Sequence, residues 1–367
     1  MKLDEIFTFE NLKQSHCMCR RCKQHKRGTV MFELDLPLKL VKLSTEIPNK
    51  KYKLGKYIKF KVYDPKERQI EALPYSDRVM LMCFCEFSMK PRIDKRLIFD
   101  NGASRENKGT DFSIKRLHKF LNDQYLKLGH NNFYFLKCDI RKYFDNINHE
   151  ILLAKLAKAG FCRDELWLCE KIIKNDDYEN KAKGLPLGNQ TSQWFALLYL
   201  DEIDRLVKEK LRIKHYTRYM DDFVLIHENK QVLRATLATI RKVCFENLKL
   251  TLAENKTVIG RVSCGIDYLG FNHKVLPNGK VEVKQRQQAK IRMKRKIKVI
   301  EKLYKKKIID GEFVIIRKNA YLNHLRKSKG KNWVRKRMEK ILKVKLSNAT
   351  VNATVKLLEG IDNPLNL

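Results

Sequence analysis

The sequence predicts a mixed fold of the α/β (α+β) class, with a hairpin-bearing sheet packed by helices and a basic helical C-terminal region. Three observations carry this expectation. Phe133–Ile140 (FYFLKCDI) is an apolar strand-like run with an aspartate at its end. Ile213–Tyr219 and Phe223–Ile226 are two further strand-like runs separated only by Met220, Asp221 and Asp222, which reads as a β-hairpin with two acids at its tip. Beyond residue 284, Ile291, Ile297, Ile300, Leu303 and Tyr304, and later Trp333, Met338, Ile341 and Leu342, recur at roughly helical spacing.

The remaining elements follow in chain order. Residues 9–26 read as a basic helix, and Asn101–Gly109 (NGASRENKG) as a polar loop. His149–Ala159 and Asp164–Lys174 have helical patterns. Thr191–Lys210 reads as one long helix whose apolar residues crowd its first half. Lys230–Asn247 returns to helix, and Thr257–Val262, Tyr268–Phe271 and Lys280–Val283 read as short strands. No internal repeat is evident.

Charge sets the class of partner. The 367 residues hold 78 Lys+Arg against 42 Asp+Glu, a formal net charge of +36. With 43% hydrophobic and 10% aromatic residues the chain has the apolar surface a core needs, which excludes a mostly disordered protein. Between Lys284 and Lys345 there are 24 Lys/Arg and 4 Asp/Glu, so helices there carry one apolar face and one basic face almost without acids. Ordinary surfaces mix signs, and a face of one sign points to a polyanion. The start, MKLDEIFTFENLK, carries acids where a signal peptide is apolar, and no run approaches the ~18 apolar residues of a membrane span. A cytoplasmic protein that does not engage membranes is the expectation. Ten cysteines, several inside apolar segments, read as reduced thiols.

The acids are where chemistry is expected. Asp139 ends one strand, and Asp221 and Asp222 sit at a hairpin tip more than 80 positions later. Hard divalent cations take carboxylate oxygens, and a two-metal site needs carboxylates converging from rigid strands. An Asp-Asp pair alone is ordinarily a turn-former, and spacing by itself does not decide between the two. His16, Cys17, Cys19, Cys22 and His25 can be drawn as a zinc site, but no second ligand pair follows at a distance, so they read as ordinary thiols and surface histidines.

These residues resemble a known family. Tyr219-Met220-Asp221-Asp222, in RYMDDFVLI, looks like the catalytic hairpin of reverse transcriptases, and Asp139 in KCDIRKYFDNINHEIL is similar to their first metal-binding motif. LPLGNQTSQ (185–193) resembles the loop that positions template and nucleotide, and Tyr268-Leu269-Gly270-Phe271 the hairpin that grips the primer strand. Order and spacing of all four match. The resemblance implies a right-hand polymerase: a basic helical N-terminal extension at 1–50, fingers at 51–132, palm at 133–275, a basic helical thumb at 276–350 and a short tail at 351–367. It implies two Mg²⁺ ions, or Mn²⁺, held by Asp139, Asp221, Asp222 and the Ile140 carbonyl. It places Phe144 beneath the sugar, as a ring that rejects a 2′-hydroxyl and so selects dNTPs. Arg68 and then Lys66, in DPKERQIEALPYSDR, would hold the triphosphate, with Arg78 packing or near the template. Gly188, Asn189 and Gln193 would lie against the base pair, and Lys256 would approach the pyrophosphate. His324 reads as packing or phosphate contact.

The departures refine this. Met220 stands where group II intron and retron enzymes usually carry alanine, and the loop reads Leu187-Gly188 and Ser192-Gln193. That combination looks like enzymes of diversity-generating retroelements and of the related bacterial unknown groups, many of them linked to anti-phage defence, and residues 7–28 and 97–121 look closer to the unknown-group set. Enzymes of diversity-generating retroelements are the alternative. An RNA template, a structured non-coding RNA in particular, a DNA product, dNTPs and an accessory protein or second copy are the partners implied. About 20 residues after the thumb are too few for an RNase H or endonuclease domain. An inactive RNA binder and an RNA-templated RNA polymerase are the remaining readings.

Overall fold

A computed structural model of the protein describes residues 2–63, 67–175, 181–326, 328 and 330–342. The strands are β1 (Ile58–Val62), β2 (Arg68–Ala72), β3 (Tyr134–Cys138), β4 (His215–Tyr219), β5 (Asp222–His227), β6 (Val258–Arg261), β7 (Ile266–Tyr268), β8 (Phe271–Val275) and β9 (Val281–Gln285). They form a β1-β2 hairpin, a four-stranded sheet in the order β4-β5-β3-β6 and a three-stranded sheet β7-β8-β9. The mixed helix-and-sheet class holds, with antiparallel pairing of β1 to β2, β3 to β5, β4 to β5, β7 to β8 and β8 to β9.

The chain divides into two compact units. One comprises Met1–Phe120 with Phe133–Ile259, the other Leu121–Asn132 with the chain from Gly260 onward. In the first unit β3, β4 and β5 of the four-stranded sheet are buried on both faces, so β3 and β5 read as largely apolar runs rather than alternating ones, while β4 (HYTRY) buries polar side chains as well. Leu136, Cys138, Tyr216, Phe223 and Leu225 are at or near zero exposure, and the helix Gln190–Tyr199 adds Phe195, Ala196 and Leu197 to the same core. In the second unit the helices Gln287–Lys305, Gly311–His324 and Lys331–Leu342 bury Met293, Ile297, Val314, Leu322, Val334 and Met338. The apolar spacing of the basic segment thus marks true helices with one buried stripe.

Side chains start several helices, as physical chemistry requires of their unpaired N–H groups. Asn148 Oδ1 accepts from Ile151 N at 3.0 Å, Asn229 Oδ1 from Gln231 N at 2.7 Å and Asp310 Oδ1 from Phe313 N at 2.7 Å.

Three expectations are corrected. The long helix read over Thr191–Lys210 is broken: Gln190–Tyr199 ends at Leu200, Asp201–Arg205 follows, and Leu206–Lys210 is a π turn. Asp204, on the segment after the break, accepts from buried partners, a demand that helical periodicity does not encode. Tyr268–Phe271 is the turn of the β7-β8 hairpin, with Leu269 at φ +46° and Gly270 at φ +89°, the left-handed pair that a two-residue hairpin loop needs. The helix read over 9–26 stops at Arg20, and Cys22 takes φ +56°.

One buried pair ties the first unit's sheet to its helices. Arg218, on β4, and Asp204 are both fully buried, and the guanidinium donates from Nε to Asp204 Oδ1 at 2.7 Å and from Nη2 to Oδ2 at 2.6 Å. Tyr216 Oη donates to the same carboxylate at 2.7 Å. Breaking a buried pair from one side leaves an uncompensated charge, which costs about 3–5 kcal/mol. Asp204→Ala should lower unfolding stability by that amount in urea titrations. A loss under about 1 kcal/mol would mean the pair is not the anchor described.

Candidate active site

The carboxylates meet because of strand register. The last β3-β5 pair is Cys138 with Phe223, so one step further Asp139 lies opposite Asp222, and directly opposed residues share a face. Two steps back on that face Lys137 sends Nζ to 3.4 Å from Asp222 Oδ2. Asp221 sits in the loop between Tyr219 and Asp222, which pair across the hairpin. Met220, the other loop residue, takes φ +56°, a strained conformation for a residue with a long side chain. Arg218 Nη1 holds it by donating to the Met220 carbonyl at 3.0 Å. The backbone that presents Asp221 is therefore fixed from inside the core.

Like charges in a partly dry setting show in the acidities. Burial pushes the Asp222 carboxyl up to about 6, with Asp139 and Asp221 adding to the rise against Lys137. Burial and Asp139 also raise Asp221, while Lys256 and Arg68 pull it down. Asp222 Oδ1 is buried with no hydrogen-bond partner. Lys256 Nζ lies 2.7 Å from Asp139 Oδ1. Among the described residues no three Asp, Glu, His or Cys side chains close around one point, because Asp139 is turned to a lysine. The donor set is nonetheless all carboxylate oxygen with one acceptor unused, which suits a hard divalent cation. The Ile140 carbonyl is a compatible further donor, since the bridge to Leu252 runs through the Asp139 carbonyl and the Arg141 N–H instead.

The other expected residues divide. Arg68 opens β2, is exposed, and is close enough for its charge to act on Asp221. Phe144 is half-buried beside Tyr143, whose hydroxyl donates to the Ala196 carbonyl at 2.5 Å, so Tyr143 is the core anchor and Phe144 the more open ring. Leu185 N donates to the Phe144 carbonyl at 2.9 Å, and Glu71 N to the Leu187 carbonyl at 2.9 Å, so the 185–188 loop is stitched to both neighbours. Gly188, at φ +146°, passes so close to the Glu71 carbonyl oxygen that a Cβ would collide with it. Gln193, Asn189 and Gly188 line a cavity of about 290 Å³ together with Arg78, Cys19 and Lys23. Arg78 also lies over the Tyr75 ring at 5.2 Å. Lys66 lies outside the described residues. Tyr268, Leu269, Gly270 and Phe271 form a hairpin turn in the second unit, where His324 packs on Phe271 with centroids 5.4 Å apart.

The cysteine–histidine segment forms no metal cluster among the described residues, and all ten cysteines are free. His16 is not a surface residue as expected: it is 3% exposed, packed on Phe32, with Nδ1 3.2 Å from Tyr75 Oη and Nε2 3.2 Å from Glu33. Buried Cys19 has its thiol pushed up to about 11, which suits packing rather than ligation.

Sequence reasoning gave no role to Arg218, Lys137 or His149. His149 Nε2 donates to the Gly184 carbonyl at 2.7 Å, fixing the start of the glycine-bearing loop, and burial keeps its pKa low. Arg218 lies in a strand with His215 and Thr217, where a charge does not stand out in the sequence, and only its burial shows that it needs a partner.

Residues 90–273 match the family described as reverse transcriptase (RNA-dependent DNA polymerase). The COX1/OXI3 intron 2 protein of Saccharomyces cerevisiae is 22% identical, over 39% of this chain and 24% of that one. Two solved structures are similar in part. Telomerase of Candida albicans in complex with a TWJ fragment of telomeric RNA aligns at 11% identity and TM-score 0.49, covering 69% of this chain and 51% of that one. Apo telomerase of Candida tropicalis aligns at 14% identity and TM-score 0.48, covering 64% and 49%. The chain thus spans about a quarter of the curated relative and about half of these solved chains.

The raised pKa of Asp222 carries a stability consequence with a definite sign. A carboxyl whose folded pKa exceeds its unfolded value burdens the fold once ionised. The penalty is absent below about pH 4, grows through pH 6 and is fully present above it. Asp222→Asn in chelator-treated protein should therefore raise thermal stability at pH 7.5, by on the order of 1 kcal/mol, and lose that advantage near pH 4. An Asn variant that melts lower at pH 7.5 would contradict this account of the site.

Proposed function

The chain belongs to the reverse transcriptase (RNA-dependent DNA polymerase) family, and on that premise we propose that it is an RNA-directed DNA polymerase working at Asp139, Asp221 and Asp222. The observation that carries the proposal is the placing of Asp139 and Asp222 at opposed strand ends with Asp221 in the adjoining hairpin loop, where Lys256 pairs with Asp139 and the charges of Lys256 and Arg68 act on Asp221. Asp139, Asp221, Asp222 and the Ile140 carbonyl would hold two divalent cations, Mg²⁺ by donor chemistry. When bound, the cations lower the pKa of a primer hydroxyl and offset the charge of a triphosphate.

The chain's own groups would do the rest. Arg68 binds triphosphate oxygens as a guanidinium fork, with Lys66 as a second contact. Lys256 neutralises Asp139 before cations load and is then free for the anionic leaving group. Phe144 closes the space beneath the sugar at C2′ and selects dNTPs. Gly188 and Gln193 shape the floor of the templating position, with Arg78 beside them. Tyr268–Phe271 would steady the primer strand. In these terms 51–132 serve as fingers, 133–275 as palm and 276–350 as thumb, with 1–50 as an extension.

The template is RNA, and the finer reading is a dedicated structured non-coding RNA copied within an anti-phage defence system, supported by the resemblance of the segments 7–28 and 97–121.

Primer extension on an RNA template tests the chemistry. Asp139→Ala, Asp221→Ala and Asp222→Ala should each reduce dNTP incorporation by about 10³-fold or more, the effect of removing several kcal/mol of charge stabilisation. Phe144→Ala should keep dNTP incorporation and admit NTPs. If it rejects NTPs as strongly as the parent, the ring is not the sugar gate. Sequencing of nucleic acid copurifying with the parent and with the Asp221→Ala/Asp222→Ala variant tests the biology. One structured RNA with cDNA that vanishes in the variant supports the reading, whereas bulk RNA with no variant-sensitive DNA points to a basic RNA binder.

A further inference from the structure

A second basic site lies in the first unit, built by elements that hold none of the residues assigned above. The chain leaving the helix Leu36–Glu46 turns at Lys50, which takes φ +58°, and runs past the helix Arg163–Ile173. Between them is a cavity of about 660 Å³. Every charged side chain on its wall is a lysine: Lys50, Lys51, Lys53, Lys171 and Lys174. Its aromatic surfaces are Trp167 and Tyr52, both half-buried.

The five lysines are not equivalent. Lys50 is committed: Nζ is 2.6 Å from Asp164 and 5.7 Å from the Trp167 ring centroid, so it braces the indole. Lys174 pairs with Glu170 on its own helix at 2.7 Å. Lys51, Lys53 and Lys171 have no ion-pair partner among the described residues. The next acids along the chain, Asp176, Asp177 and Glu179, lie outside the described residues. The wall itself is not loosely held. Tyr52 Oη donates to Asp77 at 2.5 Å, Gly55 N donates to the same carboxyl at 3.2 Å, and Lys51 N and Tyr52 N donate to the Glu46 carbonyl at 2.9 and 3.2 Å.

A fixed aromatic face ringed by unpaired ammonium groups has the chemistry of single-stranded nucleic-acid recognition. Phosphates take the cations, and an unstacked base takes the ring. A duplex offers phosphates but no free base face, and a volume within the ~300–1,000 Å³ of small-ligand sites admits a nucleotide but not a helix. We propose that this pocket is an RNA-anchoring site separate from the polymerising centre, in which Lys51, Lys53 and Lys171 hold the backbone of a single-stranded RNA segment and Trp167 stacks one of its bases. It holds RNA by a fixed point while other parts of the chain act, and it stands whether or not Asp139, Asp221 and Asp222 polymerise.

Trp167 supplies the probe. The chain has three tryptophans, and Trp194 is 3% exposed in the core. In a full-length Trp333→Phe background, titration with a short oligo(U) should quench indole emission. Trp167→Phe should lose the quenching yet keep the affinity for fluorescein-labelled oligo(U), since a ring remains, whereas Trp167→Leu should weaken binding about tenfold. Lys51→Glu/Lys53→Glu/Lys171→Glu should weaken it at least tenfold and flatten its salt dependence. Extension of a saturating short primer–template should be unchanged in all of these variants. Parent-like oligo(U) affinity in both Trp167→Leu and the triple variant, or quenching that is absent from the Trp333→Phe protein, would overturn the proposal. The Trp167→Leu arm decides the matter if the charge-reversed chain does not fold.

Discussion

The buried Arg218–Asp204 pair is the constraint on which the candidate site depends. A guanidinium at zero exposure is expensive unless each of its donors is used. Here they go to Asp204, to the Met220 carbonyl and, from Nη2 at 3.2 Å, to the Leu197 carbonyl. The first of these is electrostatic anchoring, the second fixes the strained loop residue, and the third ties β4 to the helix Gln190–Tyr199. Along the same strand, Gly102 N donates to the Arg218 carbonyl and Arg218 N to the Asp100 carbonyl, so the loop after residue 97 covers an edge that would otherwise be open. One residue thus joins hairpin tip and helix through its side chain and the edge cover through its main chain, and Asp221 inherits its position from all three.

Around that frame the site holds its charge in deliberate imbalance. Asp139 helps to raise the pKa of Asp221 and of Asp222, Asp221 adds to the rise at Asp222, and among the described residues only Lys137 and Lys256 lie within ion-pair distance of any of the three. A structural role would favour full pairing, as at Glu165, which is buried with Arg92 at 2.5 Å and Ser88 at 2.6 Å and has its carboxyl held below the usual range despite burial. The contrast sets Glu165 apart from Asp222, although an unpartnered oxygen is not confined to the strand-end acids: Asp201 Oδ1 is another. Glu165 is completed by the protein, and Asp222 is left with an unpartnered oxygen. On the proposed reading, that oxygen is one a divalent cation would take.

Much of this was legible in the sequence where local pattern and chemistry coincide. The apolar runs of β3 and β5 and the acids at their ends are visible because strands buried on both faces show little alternation. The helices of the basic region are visible because one apolar stripe survives among the lysines. The opposition of Asp139 and Asp222 was suggested only by family resemblance, since register depends on pairing that a linear pattern does not state. The β1-β2 hairpin escaped notice because Ile58, Phe60 and Val62 remain exposed, and solvated strands have no core to impose a pattern. Asp204 and His16 were misjudged or passed over for a common reason: a buried polar residue is defined by a partner remote in sequence, Arg218 in one case and Tyr75 with Glu33 in the other.

The distribution of acids explains how a chain of charge +36 folds and also what its basic surface can discriminate. Many carboxylates are used inside the first unit to neutralise particular cations: Asp100 with Arg116 and Lys208, Glu202 with Lys155, Asp201 with Arg205. Buried positions are thereby balanced, and the excess falls on exposed lysines and arginines, where self-repulsion is screened by salt. Such a surface binds any polyanion, with an affinity that falls steeply as ionic strength rises, and it carries no information about sequence or strandedness. Discrimination has to come from uncharged surface set among the cations. In the first unit the two proposals put that surface at the half-buried indole of Trp167, beside lysines with no ion-pair partner among the described residues, and at the half-buried ring of Phe144. On those proposals charge would gather nucleic acid to the protein, and the two rings would tell a free base from a stacked one and a deoxyribose from a ribose.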